Sequence, residues 1–529
     1  MNRREFLKLI GAAATLLIVG GFADLIPKDK PNKTYAQQGS WTTGARTTTT
    51  PIHAALLHTG KILYLAGSGW DYNRQAPPYQ ARVLDLGTGA EKTLTQSEDL
   101  FCAGQTTLAN GTILLAGGTL LYDTNPNNCN GRWHGLKAAY EFNPSTESFT
   151  KVQNMLHGRW YPTLLTLSDG KVWCYNGYDE YGINNRLVEV YNPATKTWTR
   201  VAAPTGGLSY TVGLGQETAC PGPHPSYTAS GPTTSFYPRA HLMPSGLVVM
   251  NGFRSEIRSW NPSTGSWASH GNTNIHRDYG TSFLLPLQNT LSEKGRIMVC
   301  GGSSTTTGYA TTSTQILDFN TGNPTIRTVA STRYRRKYMS PVILPNGKCV
   351  IFGGTERGRD FPVLTPEMFD PITETWVVLQ SSSVARHYHS TALLLTDGKV
   401  WVAGGTAVSG LWELRTEYFN PSYMTATRPT ISGTPTVGSY GGSITIPTPS
   451  ATVITSVSLL RLMNTTHHYD PNQRLVWLQL QSRGSSSVRV AAPINAKIAP
   501  PGFYLIHVLN TNLVPSRGRI IRIPGTATT

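Results

Sequence analysis

Five residues in four segments stand out by chemical type. Tyr388 and His389 lie side by side in RHYHSTALLLTDGKVWVAGG (386–405), Cys102 lies in DLFCAGQTTL, Tyr161 in HGRWYPTLLTL, and His467 in the loop NTTHHYD (464–470). Two imidazoles and two phenolates suit Cu(II) in a tetragonal field with one position open for substrate. A phenol, with an unperturbed pKa of about 10, needs a metal or the loss of an electron to act at neutral pH. Taken singly, each residue has a plainer reading: a lone Cys is usually core, a Tyr beside Pro structural, and a loop His solvated. Their conjunction carries the argument, and that depends on the elements that position them.

Those elements repeat. An apolar run reaches a Gly turn, a β-branched and aromatic strand follows, and a Gly or Gly pair closes it. The turn glycines are Gly60, Gly111, Gly170, Gly246, Gly295, Gly347 and Gly398. Four of their six spacings lie between 49 and 52 residues, and the longer ones, 59 and 76, mark insertions. Downstream, an aromatic strand enters an Asn/Asp-Pro turn, as in EFNPSTESF (141–149), WNPSTGSW (260–267) and FDPITETW (369–376). Pro presets such a turn, and the aromatic beyond it can pack between neighbouring sheets. A period near 50 with a Gly pair and a downstream Trp is the kelch signature, four strands per blade. Seven repeats predict an all-β fold, a seven-bladed kelch-type β-propeller over 37–424. Closing its ring needs an outer strand for the last blade, which the segment Trp41–Pro51 can supply. Cys102, Tyr161 and the Tyr388–His389 pair each fall one strand before the Gly turn, so they belong at one height on one face.

After Asn420-Pro421 the pattern changes to short strands at roughly ten-residue intervals over 425–529, which predicts an immunoglobulin-like (early set) β-sandwich. His467 belongs to that domain, in a polar loop with no evident structural duty.

Composition agrees: 52 Gly, 35 Pro, 24 Tyr and 14% charged residues favour strands and turns. Residues 1–36 read as a twin-arginine signal peptide, with Arg3-Arg4, an uncharged run over Leu9–Ala23 too short to span a membrane, and Thr34-Tyr35-Ala36 before the expected cleavage. Of the net charge of +16, removing the six bases and three acids of that segment leaves 39 against 26, or +13. In an exported bacterial protein this charge serves solubility or affinity for an anionic wall rather than nucleic acid. The densest basic run, Arg333–Lys337, is expected on a solvated face. Cys174, Cys300 and Cys349 read as buried small hydrophobes, whereas Cys129 and Cys220, in long polar loops, can pair.

At this point the chain resembles the copper radical oxidases, the family of galactose oxidase and glyoxal oxidase, and the RWYPT context of Tyr161 sets it closer to the glyoxal oxidase branch. The resemblance extends over the mature chain and includes Leu364-Thr365-Pro366-Glu367 and Asn472-Gln473-Arg474. It implies one copper held by Tyr161, Tyr388, His389 and His467, and a Cys102–Tyr161 thioether that stabilises a tyrosyl radical. Tyr388 would take the substrate proton, the radical a hydrogen atom from carbon, and O2 would leave as H2O2. Spacing to the family motif favours His389 and His467 over their neighbours His387 and His468.

Departures from galactose oxidase are also visible. Gly177-Tyr178-Asp179-Glu180 stands where that enzyme has a Trp over the thioether, Arg239 is the one weak candidate for its sugar-contacting Arg, and its leading carbohydrate-binding domain is missing. These favour a small aldehyde such as glyoxal or methylglyoxal, a primary alcohol or a cell-surface glycan over galactose. The expected protein is a secreted or cell-surface monomer with no transmembrane span and no nucleic-acid partner. Competing readings are a non-catalytic kelch propeller binding wall glycan or protein, and a hydrolase using Glu180 and Glu367.

Overall fold

The computed structural model describes residues 38–70, 77–122, 133–201, 236–251, 254–305, 307–321, 324–406 and 412–525. The signal over 1–36 and the pairing of Cys129 with Cys220 lie outside them. Among the described residues, strands supply nearly all regular structure, and no helix is long and apolar enough to cross a membrane.

Each Gly turn forms as its sequence dictates. The seven turn glycines adopt φ between +80° and +93°, a region open to Gly at little steric cost. In the last repeat Gly398 N–H donates to the Leu395 carbonyl (3.0 Å) and Leu395 N–H to that of Lys399 (2.8 Å), closing a hairpin. The Asn/Asp-Pro turns close through side chains: Asn143, Asn192, Asn261 and Asp370 each accept the backbone N–H two residues on, at 2.9–3.1 Å. Beyond one of them, Trp267 packs on Tyr175 of the preceding sheet, with centroids 5.1 Å apart.

Seven antiparallel sheets result, each with four strands from the repeat region. Their innermost strands are His53–Leu56, Gly104–Thr107, Thr163–Thr166, Arg239–Leu242, Thr281–Leu284, Ser340–Ile343 and Ser390–Leu394, buried throughout. From the second onward each packs on the next in chain order, the last meets the first, and Asn464–Thr466 contacts both the first and the second. The strand Ser40–Thr43 pairs with Glu417–Asn420 and completes the seventh sheet, as the ring-closure argument requires.

Beyond the last sheet, two facing sheets built from Thr436–Val437, Ser443–Pro447, Leu480–Arg483 and Ser487–Ala491, and from Ile454–Arg461, Leu475–Leu478, Gly502–Asn510 and Arg519–Ile523, enclose Ile444, Val457, Val488 and Ile506. The loop between Arg461 and Leu475 runs into the ring. Its Asn464–Thr466 strand pairs with His53–Leu56 and packs on Gly104–Thr107. Asn472 accepts Thr166 N–H (2.9 Å), Gln473 accepts Ile343 N–H (2.5 Å) and donates to Pro341 O (3.0 Å), and Tyr469 bonds both backbone groups of Ala240 (2.6 and 2.8 Å). An innermost strand has one edge unpaired within its own sheet, and buried backbone groups must find partners. Filling those edges is the structural duty that the loop's composition conceals.

A second device recurs in the segments leading to four of the innermost strands. Arg159, Arg336 and Arg386, all within 2% of full burial, pair with Glu189, Glu367 and Glu417 on the third strand of their own sheets. The same guanidinium groups donate to the carbonyls of Asn176, Gly353 and Gly404. Arg277 holds the matching place with the carbonyls of Gly301 and Ser313 instead. The basic run at Arg333–Lys337 therefore departs from expectation: Arg336 and Lys337 are buried, because the run straddles the entry to a core strand. Glu367→Gln should destabilise the protein by about 3–5 kcal/mol, since it leaves a buried guanidinium without its counter-charge. Denaturant unfolding of wild type and variant measures the difference.

Candidate metal centre

Buried chemistry gathers where these segments meet. Cys102, Tyr161 and His389 sit at the mouth of their innermost strands with φ of 65°, 70° and 67°, and Tyr237, Tyr279 and Tyr338 take the same left-handed turn in other repeats. Such backbone costs about 1–3 kcal/mol per residue outside Gly. Hydrogen bonds between neighbouring sheets hold it: Tyr161 N–H donates to Cys102 O (2.9 Å), Tyr237 N–H to Tyr161 O (3.0 Å) and Tyr338 N–H to Tyr279 O (3.0 Å). The first of these sets Cys102 beside Tyr161, and the two side chains interact, with Trp160 also against the thiol.

All five residues singled out in the sequence converge. The hydroxyls of Tyr161 and Tyr388 share a hydrogen bond of 2.5 Å. The His467 ring lies 4.7 Å from both Tyr161 and His389, and His389 lies 3.9 Å from Tyr388, centroid to centroid. His467 Nε2 is 3.6 Å from Cys102 Sγ. Each imidazole is fixed through Nδ1, His389 on Thr406 Oγ1 (3.0 Å) and His467 on Thr466 Oγ1 (2.7 Å). That leaves Nε2 of His389 buried with no hydrogen-bond partner, which is how a ligating imidazole is presented. Among the described residues no group of three or more His, Cys, Asp and Glu is arranged to hold a metal. The donor set is instead mixed, two imidazoles with two phenols, and it fits Cu(II) by type.

Burial dominates the electrostatics. It drives the phenols of Tyr161 and Tyr388 well above their usual range, the Cys102 thiol likewise, and the imidazoles of His389 and His467 well below theirs. The centre is thus neutral on its own, and only a cation makes phenolates favourable there.

Other placements correct or extend the sequence reading. Tyr178, in the region expected to cover the Cys–Tyr pair, stacks behind Trp160 (5.9 Å, 14°), while Trp160 itself lies on Tyr161 (4.0 Å, 46°). Arg239 is buried over Tyr469 (4.3 Å) and donates to Gly280 O. An exposed residue missed in the sequence, Arg359, holds its guanidinium 4.7 Å over the Tyr388 ring. His53 was also missed; its Nε2 accepts the Cys102 backbone N–H at 3.3 Å. His387 points elsewhere, to Arg359 O (2.9 Å), and His468 is buried 5.5 Å from Tyr388. Glu367 is committed to Arg336 and Glu180 to Lys137 and His157, which removes the hydrolase reading. The signal that finds Arg159, Arg277, Arg336 and Arg386 was available: Arg-x-Tyr-x-Ser/Thr recurs at 159–163, 277–281, 336–340 and 386–390.

In the metal-free protein, His53 is held at about 3, and His389, His467 and His468 well below 6.5. Unfolding lets each bind a proton below pH 6.5, so stability is full above that value and falls as pH drops beneath it. Asp99, Asp179 and Asp470, raised to about 6, act oppositely between 6 and 3.8 and offset part of the loss. His241 (about 3) and His507 (about 4) add to the histidine side. The thermal midpoint of the metal-free protein should therefore be lower at about pH 5 than at about pH 7.5, as calorimetry would record.

Two family models match the chain: "Glyoxal oxidase N-terminus" over residues 233–423 and "Galactose oxidase-like, Early set domain" over 428–523. Galactose oxidase of Gibberella zeae is 28% identical over 470 residues, covering 83% of this chain and 63% of its own length. Aldehyde oxidase GLOX1 of Arabidopsis thaliana is 27% identical over 500 residues, covering 83% of this chain and 74% of its own. The solved structure of a fungal alcohol oxidase in complex with copper superposes with a TM-score of 0.75 at 24% identity, over 92% of this chain and all of that one. That likeness establishes a galactose oxidase-like fold with a C-terminal early-set domain. The chain spans less than two thirds of the length of the galactose oxidase it matches.

Proposed function

The chain belongs to the copper radical oxidase family, and from that premise we propose that it is an exported oxidase that takes two electrons from a small aldehyde or a primary alcohol, free or on a cell-surface glycan. O2 is the acceptor and H2O2 the released product. The seven sheets are read as kelch blades, with 1–36 as a twin-arginine signal and the sandwich from 425 onward as the donor of His467. The observation that carries the proposal is the burial of two phenols, two imidazoles and one thiol from four distant segments around one point.

In this reading Tyr161, Tyr388, His389 and His467 hold one copper ion. The metal supplies one oxidising equivalent and the Cys102–Tyr161 thioether, as a radical, the other, so no organic cofactor is needed. Thr406 and Thr466 orient the imidazoles. Tyr388, hydrogen-bonded to Tyr161, accepts the substrate hydroxyl proton as general base. Tyr161 takes the hydrogen atom from carbon, and the surrounding aromatic rings keep water from the radical.

Two measurements test this. Intact mass after copper loading in air should fall by two hydrogens, and Cys102→Ser should abolish the fall; a mass unchanged by copper would favour a glycan- or protein-binding module instead. Tyr388→Phe should keep the mass loss but lower kcat by about a hundredfold or more, the scale of a lost general base. Peroxide release against a panel of aldehydes, primary alcohols and glycans reads that effect and identifies the substrate class.

A further inference from the structure

A line of aromatic rings leads away from the Cys102–Tyr161 pair. Trp160 lies 4.0 Å from Tyr161, Trp133 lies 4.1 Å from Trp160, and Tyr122 lies 5.9 Å from Trp133, all between ring centroids. Trp160 is buried, whereas Trp133 and Tyr122 are half-buried, so the line runs from the interior to the surface. Its outer end has an unusual termination. The Tyr122 hydroxyl shares a 2.5 Å hydrogen bond with Ser68 Oγ, and Ser68 in turn donates to the buried carboxylate of Asp99.

Trp and Tyr are the side chains most easily oxidised by one electron, and electron tunnelling between them weakens steeply with distance. Rings in near contact therefore pass an electron stepwise where a single jump would be slow. A tyrosine can join such a chain only if its proton has somewhere to go when the electron leaves, and the Ser68–Asp99 pair provides that place. Packing alone explains stacked rings; Asp99, whose Oδ1 accepts the backbone N–H groups of Ser68 (2.9 Å) and Phe101 (3.1 Å), turns its other oxygen to the Ser68 hydroxyl and so extends the line with a proton acceptor. Asp99, lifted to about 6 mainly by burial, is a better proton acceptor than an ordinary carboxylate.

We propose that Trp160, Trp133 and Tyr122 form an electron route between the Cys102–Tyr161 pair and the surface, along which a soluble one-electron oxidant, such as a ferric or cupric complex, generates the radical. The inference rests on the thioether reading above. The oxidant is reduced by one electron taken from Tyr122, whose proton moves through Ser68 to Asp99. Tyr122 regains an electron from Trp133, Trp133 from Trp160 and Trp160 from the thioether-bearing Tyr161, and the proton returns from Asp99. The net change is one electron from the Tyr161 phenolate to the oxidant, with no net proton transferred. Run backwards, the same route lets a surface reductant quench the radical when substrate is absent.

The test uses copper-loaded, thioether-containing protein with the radical first reduced, mixed rapidly with hexacyanoferrate(III) while radical absorption is followed. Trp133→Phe and Tyr122→Phe should slow radical formation by an order of magnitude or more, and Trp133→Tyr should restore most of the rate. Peroxide turnover of the fully oxidised variants should match wild type, which a merely structural loss would not allow. If wild type forms the radical and both Phe variants form it equally fast, the route is overturned while the oxidase stands. If wild type shows neither radical nor the two-hydrogen mass loss, both readings fall together.

Discussion

Seven innermost strands that each turn one unpaired edge toward a shared interior pose a problem no single sheet can solve. Buried N–H and C=O groups left without partners would cost more than packing returns. The loop between Arg461 and Leu475 answers it with Tyr469, Asn472 and Gln473, whose side chains bond backbone of three of those strands, and with Asn464–Thr466, whose backbone pairs with a fourth. Because the loop must reach the interior for that reason, it carries His467 to Cys102, Tyr161 and His389 as a consequence. The centre is a by-product of satisfying the ring.

Precision at the centre comes from the arginines two residues before the tyrosines. A guanidinium tied both to a third-strand glutamate and to a hairpin carbonyl fixes the segment on either side of the strained residue. The left-handed turns at Tyr161 and His389 lie beside such anchors, and that at Cys102 is held by the hydrogen bond its carbonyl accepts from Tyr161 of the next sheet. Strain of this kind is kept where function needs a side chain held at one angle. Burial then sets the chemistry, keeping phenols protonated and imidazoles neutral until a cation arrives.

Much of this was legible in the sequence. The Gly turns and the Asn/Asp-Pro turns followed from local rules of φ and proline, and edge pairing pointed to Trp41–Pro51 for the closing strand, which the structure puts at Ser40–Thr43. Cys102, Tyr161, Tyr388, His389 and His467 were found because they interrupt or follow a repeat and match a family pattern, and the structure gathers them. What escaped notice depended on contacts across hundreds of residues. Asn472 and Gln473 stand out in the sequence only as part of the family pattern, because the partners that give them a structural duty lie in other repeats. Arg336 and Lys337 looked solvated because a charge run carries no mark of burial. Trp160 reads in the sequence only as a neighbour of Tyr161, since adjacency does not reveal that its ring covers Tyr161. Arg359 belongs to no repeat position, and only the three-dimensional arrangement shows it over Tyr388.

The seam joining Ser40–Thr43 to Glu417–Asn420 has a bearing on how the protein comes into being. During synthesis the strand Ser40–Thr43 waits, one edge open, for a partner made nearly four hundred residues later, and pairings so remote in sequence form slowly. The loop carrying His467 emerges later still. A partly made chain therefore owns the thiol and the phenols but not the full set of imidazoles, and it has no cavity to shield them. The four side chains proposed to hold copper can therefore come together only after residue 467 has been made.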